Sequence, residues 1–226
     1  YEIRQTANAF NQMRTRIKRF LKQRTEMLAG VSHDLRTPLT RMKLQISLMK
    51  DEKAKSELEV DVNEMTSMLD SYVSFVKTES PEPIETIIIN ELIGEIVKNV
   101  EKNGVELTIK EKNAIQTSGR QIQLKRAFNN IIDNSQRYAK KIEIILYTNE
   151  KDCVIEFNDD GEGIPVNKYE DVFKPFFTLD PSRNKLKGES GLGLTITRDI
   201  IRSHGGDIKL SKSNLGGLQL KVLLPL

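Results

Sequence analysis

A leucine or methionine returns every seven residues through the start of this chain: Leu21, Leu28, Leu35, Met42 and Met49. At 3.6 residues per turn the seventh residue comes back to nearly the same side of a helix, so such a repeat demands helices packed along a seam. Val31 and Ile46 supply apolar positions beside it, and residues 1 to about 50 read as one nearly continuous helix. A core-facing stripe inside a single globular domain is the competing reading, but little in the sequence could cover so long a helix from outside. Asp51-Glu52-Lys53 makes a turn. Leu58, Val62, Met65, Leu69, Tyr72 and Val76 then step by four and three along a second helix to about Lys77. Two stripes joined by a short turn form an antiparallel hairpin. One hairpin buries two long stripes poorly, whereas two copies bury them as a four-helix bundle. The spacing therefore predicts a homodimer.

The first helix carries an oddity, Ser32-His33-Asp34-Leu35-Arg36-Thr37-Pro38-Leu39. A proline in a helix interior removes a hydrogen bond and crowds the carbonyl four residues back, at a cost of about 3 kcal/mol. His33 is one of only two histidines, and an acid follows it. Taken alone it reads as a solvated helix residue. Its place between Val31 and Leu35 puts it on the flank of the seam, on the outer surface of the bundle.

Glu79-Ser80-Pro81-Glu82-Pro83 stops the helix and serves as a linker. Beyond it the pattern changes. Strands are expected at 87–89, 106–110, 142–148, 153–158, 207–211 and 217–224. Helices are expected from Asn90, as a cap, to about 103, and over 121–139 and 191–204. A loop-rich stretch fills 162–190. The second half is thus an α+β two-layer sandwich, a mixed sheet with its helices on one face. A hydrophobic fraction of 38% against 30% charged residues suits helices with polar outer faces. The net charge of +3 gives no case for nucleic acid. A single cysteine, Cys153, excludes an internal disulfide or a multi-cysteine metal site. No apolar run approaches the ~20 residues of a membrane helix. A first residue that is not methionine suggests a piece of a longer chain.

Four stretches in the second half carry chemistry. Asn130 and Asn134, four apart, share a helix face with Asp133, Arg137 and Tyr138 nearby. Amide oxygens are hard ligands suited to Mg²⁺, which keeps waters and bridges phosphates. Arg137 can meet a phosphate and Tyr138 can stack on a base. Asp159-Asp160-Gly161-Glu162-Gly163 follows a strand: a carboxylate there can accept from an exocyclic amine such as adenine's, and the glycines admit a ligand closely. Phe173-Lys174-Pro175-Phe176-Phe177 is core or a loop anchor. Ser190-Gly191-Leu192-Gly193-Leu194 opens a helix, where free N–H groups bind anions. It is neither a P-loop nor a dinucleotide fingerprint. Each stretch alone is weak; in this order they make one nucleotide site with a lid.

At this point the chain resembles the bacterial sensor histidine kinases of the HAMP-containing, EnvZ-like kind. Ser32 to Leu39 is similar to their H box, Asn130 to Tyr138 to the N box, Asp159 to Gly163 to the G1 box, Phe173 to Phe177 to the F box and Ser190 to Leu194 to the G2 box. The resemblance covers essentially the whole chain. It implies three parts: the end of a HAMP helix over 1–18, a dimerisation and histidine-phosphotransfer hairpin over 19–80, and a GHKL-type catalytic ATP-binding domain over 81–226. It implies His33 as phosphoacceptor, Asp34 as the base that orients and deprotonates it, and Thr37 as positioner of a water for dephosphorylating the partner. Asn130 and Asn134 would hold Mg²⁺ and the phosphates of ATP, with Arg137 and Tyr138 beside them. Asp159 would bind the adenine amine, and Gly161, Gly163, Ser190, Gly191, Leu192 and Gly193 would frame nucleotide and lid. Glu189 and Glu162 depart from the family's frequent glycine and proline, at positions that hold no chemistry. The implied partner is a response regulator with an OmpR-like receiver domain. The implied location is the cytoplasmic side of the inner membrane, reached only through an N-terminal part outside this chain. A nucleotide-binding scaffold without phosphotransfer and a GHKL-group ATPase stay open as alternatives.

Overall fold

The computed structural model describes residues 2–76, 82–100, 105–111, 113–179 and 191–226, and the chain divides into two compact units with a boundary between residues 80 and 81. The first is the helical hairpin. Helix α1 runs Glu2–Ser47 with Pro38 inside it, and α2 runs Glu52–Val76. Asp51 caps α2: its Oδ1 accepts from the N–H groups of Lys53 at 3.0 Å and Ala54 at 3.2 Å. That relieves two of the donors that every helix start leaves without a partner. Leu39, Ile46 and Val62 form the buried centre, with Met49 and Leu69 packed against them.

Here the structure shifts the expected seam. The buried line of α1 is Ser32, Leu39 and Ile46, seven apart. Leu35 and Met42, on the expected line, remain 46% and 43% exposed in the single chain. Both lines belong to one heptad pattern; the second helix of the hairpin covers Leu39 and Ile46 on one line, and on the other it covers Met49 but leaves Leu35 and Met42 exposed. The side chains of Leu21, Leu28, Tyr72, Val76 and His33 lie outside the described residues, and so does the expected outward placement of His33.

In the second unit, β1 (Glu85–Ile88) leads directly into α3 (Ile89–Val100). Strands β2 (Glu106–Glu111) and β3 (Gln116–Gly119) precede α4 (Gln121–Tyr138). Then come β4 (Lys141–Thr148), β5 (Asp152–Asp159), α5 (Gly193–Ser203), β6 (Asp207–Lys212) and β7 (Leu218–Pro225). The main sheet has the order β2-β4-β5-β7-β6. Its β2–β4 pair is parallel and the rest antiparallel, which is the mixed sheet expected. Helices α4 and α5 lie against it through buried residues such as Phe128, Ile132, Ile196 and Ile200, and Phe128 meets Phe157 of β5 at 6.0 Å. Glu156, Tyr147 and Lys221 instead join in a polar cluster, with Lys221 Nζ 2.8 Å from the Tyr147 hydroxyl and 3.0 Å from Glu156.

Two local expectations change. Strand β3, absent from the strands expected, pairs antiparallel with β1. Its Gln-Thr-Ser-Gly has no apolar alternation to show; what turns inward is Thr117, whose hydroxyl donates to the Pro225 carbonyl at 2.6 Å. Asn90 is not a cap but lies within α3. Its side chain accepts from Ile115 N–H at 2.7 Å and donates to the Asn113 carbonyl at 3.1 Å, tying the helix to the segment before β3.

Candidate nucleotide site

Strand β5 ends in Asp159 and Asp160 follows it, and the two have different partners. Asp160 Oδ1 accepts from the N–H groups of Lys140 and Lys141, each at 2.8 Å, and so fixes the corner between α4 and β4. Those backbone bonds hold its carboxyl below the usual range. Asp159 is 6% exposed and turns the other way, with its Oδ1 accepting from Gly161 N–H at 3.0 Å and Leu218 N–H at 2.9 Å. Burial pushes its carboxyl up, and the bonds from Leu218 and Gly161, with help from Ser135, oppose the rise. A buried carboxylate aimed by two backbone donors is a specific acceptor for a neutral N–H donor such as an aromatic amine.

Glycines surround this carboxylate because nothing larger fits. A Cβ on Gly161 would stand 2.9 Å from the Tyr138 carbonyl oxygen, and one on Gly217 would stand 2.2 Å from Asp159 Oδ1. Gly217 also donates its N–H to the Asp159 carbonyl at 3.1 Å. The sequence places Gly217 at the start of the last expected strand and gives it no part in the site; its role comes from the β5–β7 pairing that brings it beside Asp159.

Helix α4 presents Asn130 and Asn134 one turn apart, both half-buried. Asn130 Nδ2 donates to the Gly193 carbonyl at 3.3 Å, which joins α4 to the start of α5. Thr197 Oγ1 donates to the same carbonyl at 2.8 Å. Tyr138 ends the helix, 39% exposed. Arg137, one turn beyond Asn134, is exposed and lines a groove of about 410 Å³ with Asp133, Gln136 and Val105. Among the described residues no cluster of three His, Cys, Asp or Glu could hold a metal. The donor set nevertheless fits Mg²⁺: Asn130 spends its N–H on Gly193 and keeps its amide oxygen, and such an ion takes most of its ligands from phosphate and water.

Gly191 adopts φ +62°, and a Cβ there would meet the Phe176 backbone at 2.9 Å. Gly163 has φ +71°. The Gly191 carbonyl accepts from Phe176 N–H at 3.0 Å. Phe173 is buried, its carbonyl accepts from Thr195 Oγ1 at 2.9 Å, and Arg198 lies 4.5 Å from its ring centre. Phe173 is therefore the anchor of its segment, whereas Phe176 is 51% exposed. Leu192 is fully buried, so its side chain belongs to the core and only its backbone can face a ligand. Ser190 lies outside the described residues. In the hairpin, Asp34 and Thr37 are exposed on α1, with Thr37 one turn beyond residue 33.

The comparisons with known proteins agree with this arrangement. Residues 23–80 match the His Kinase A (phospho-acceptor) domain, and residues 119–226 match the histidine kinase-, DNA gyrase B- and HSP90-like ATPase domain. The sensor histidine kinase GtrS of Pseudomonas aeruginosa is 33% identical over 226 residues, covering 99% of this chain and 46% of that protein. CpxA of Escherichia coli K12 is 32% identical over 230 residues, covering 96% and 50%. The chain thus spans about half the length of these relatives. The solved mycobacterial sensor histidine kinase MprB shares the fold over 63% of this chain and 97% of its own, with a TM-score of 0.57 and 24% identity. ShkA, solved with AMPPNP, covers 89% of this chain and 46% of its own at a TM-score of 0.66 and 15% identity. Among the described residues no helix is long and apolar enough to cross a membrane. With a phospho-acceptor hairpin followed by an ATPase sandwich, the chain belongs to the bacterial sensor histidine kinases.

Proposed function

We propose that this chain is the signalling core of a two-component sensor, in which ATP phosphorylates His33 and the phosphoryl group passes to an aspartate of a response regulator. The observation that carries the reading is the buried Asp159, aimed by Gly161 and Leu218 beside the asparagine face of α4. Asp159 accepts the adenine amine, and the glycines at 161, 163, 191 and 193 leave backbone room for the nucleotide. Asn130 and Asn134 would hold Mg²⁺ through their amide oxygens, where the ion would supply positive charge to the phosphates. His33 forms the new N–P bond while the bond from the γ-phosphorus to the bridging oxygen breaks and ADP departs. Asp34 takes the imidazole proton, as a base beside a nucleophile does. Thr37, one turn on, orients water for the reverse task of removing the phosphoryl group from the regulator. That regulator carries an OmpR-like receiver domain.

The parts divide as the end of a HAMP helix (1–18), the dimerisation and phosphotransfer hairpin (19–80) and the catalytic domain (81–226). The exposed Leu35 and Met42 support a homodimer, since a second hairpin would cover them. The chain works on the cytoplasmic side of an inner membrane to which a preceding part of the protein anchors it. Incubation with γ-labelled ATP and Mg²⁺ tests the assignment. Acid-labile label is expected on the wild type and absent from His33→Ala. Label that persists in the variant sinks the assignment, and release of free phosphate with no label on protein indicates an ATPase instead.

A further inference from the structure

The first turn of α4 has no cap of its own. Arg120, at the N-cap position, makes no side-chain capping bond. The donors it leaves are taken by a residue far upstream: Glu82 accepts from Ile122 N–H at 2.5 Å and from Gln123 N–H at 3.3 Å, one carboxylate oxygen to each. These are the second and third helical positions, the two that an N-cap side chain ordinarily serves. In a capping box the N-cap residue's own N–H goes to an acid three residues on. Here the Arg120 N–H goes to His204 Nε2 at 3.0 Å. His204 Nδ1 lies 2.7 Å from the Ile200 carbonyl. A carbonyl needs a donor and an N–H needs an acceptor, so only the neutral ring with its proton on Nδ1 satisfies both. Gly119 makes room for the ring, since a Cβ there would stand 2.9 Å from its Cδ2.

Two other elements therefore complete the start of α4. One is the segment that enters the sandwich at residue 82, and the other is the end of α5. The same helix carries Asn130 and Asn134, about 12 and 18 Å further along at 1.5 Å per residue. A groove of about 580 Å³ runs beside it, lined by Glu82, Ile122, Lys125 and Asn130 among others, so Glu82 and Asn130 open onto one groove.

We propose that Glu82 is a positioning residue: it locks the entering chain to α4, so that the placement of Asn130 and Asn134 on Mg-ATP depends on where residue 82 is held. This rests on the phosphotransfer reading above. A cap that only stabilises the helix is the rival, and the two separate cleanly. In the full chain, Glu82→Ala removes both bonds. Arg120→Ser added to it restores a local cap without restoring the tie to residue 82. Melting temperature, Mg²⁺-dependent ATP affinity and the rate of His33 labelling are then measured. The double variant is expected to melt like the wild type yet label about tenfold more slowly, the scale of loss for a slightly misplaced site. Labelling that returns together with the melting temperature overturns the proposal. If the wild type itself takes no label, the functional reading fails, and the tie is judged on ATP affinity alone. The double variant must then still lose the Mg²⁺-dependent part, and full retention overturns it.

Discussion

Adding one methyl group at Gly217 tests how the nucleotide site is held. The new Cβ would lie 2.2 Å from Asp159 Oδ1, 2.5 Å from Gly161 N and 2.7 Å from Asp159 O. Ordinary contacts between such atoms need roughly 1 Å more. None of the three is the free end of a flexible side chain, so β7 or the β5 terminus must move. Movement disturbs the Leu218 and Gly161 bonds to the carboxylate and the Gly217 bond to the Asp159 carbonyl. Overpacking costs about 1–3 kcal/mol, and losing a hydrogen bond to a charged acceptor costs about 1.5–3 kcal/mol. Gly217→Ala should therefore cost about 4 kcal/mol from mid-range values of the two effects. At about 2–4 °C per kcal/mol, melting should fall by roughly 10 °C. Affinity for a fluorescent ATP analogue should weaken about tenfold or more, the equivalent of 1.4 kcal/mol. Gly94→Ala is the control. That glycine lies inside α3 with nothing within 4 Å of its would-be Cβ, so the change should stabilise by about 0.5–1 kcal/mol. A Gly217→Ala chain that melts and binds like the wild type would show that Asp159 is not confined in this way.

Asp159→Asn should split stability from binding. Burial raises the folded-state pKa above its ordinary value of 3.8, so the folded chain binds this proton more tightly than the unfolded one. The stability contributed by this group is present below 3.8 and falls as pH rises through the raised pKa. The variant should lose that decline and be more stable in urea at neutral pH, while ATP affinity drops about tenfold for want of a charged acceptor. Unchanged affinity would remove Asp159 from the adenine contact. Met42→Glu places a charge on the exposed line of α1 and should convert a dimer to a monomer in sedimentation with the hairpin still helical. A wild type that sediments as a monomer would sink the dimer.

The sequence by itself determined the two kinds of unit and the order of their parts. Heptad spacing demands a helical seam wherever it occurs, and alternating strands bounded by glycine and asparagine turns demand a sheet. The glycines at 161, 163 and 191 were legible because each needs either a left-handed φ or a bare Cα beside backbone. Spacing along one chain cannot say which of two adjacent heptad lines meets the neighbouring helix. The choice of Leu39 and Ile46 over Leu35 and Met42 was therefore left to packing against Val62. Nor can it pair residues across a sheet or supply a helix cap from afar. Gly217 lies against Asp159, 58 positions away, only because β5 and β7 are neighbours. Strand β3 exists because β1 offers it an edge. Glu82 and His204 reach the first turn of α4 from opposite sides in sequence. These bonds satisfy backbone donors that local residues leave open, and only the folded chain determines which distant acceptor meets each of them.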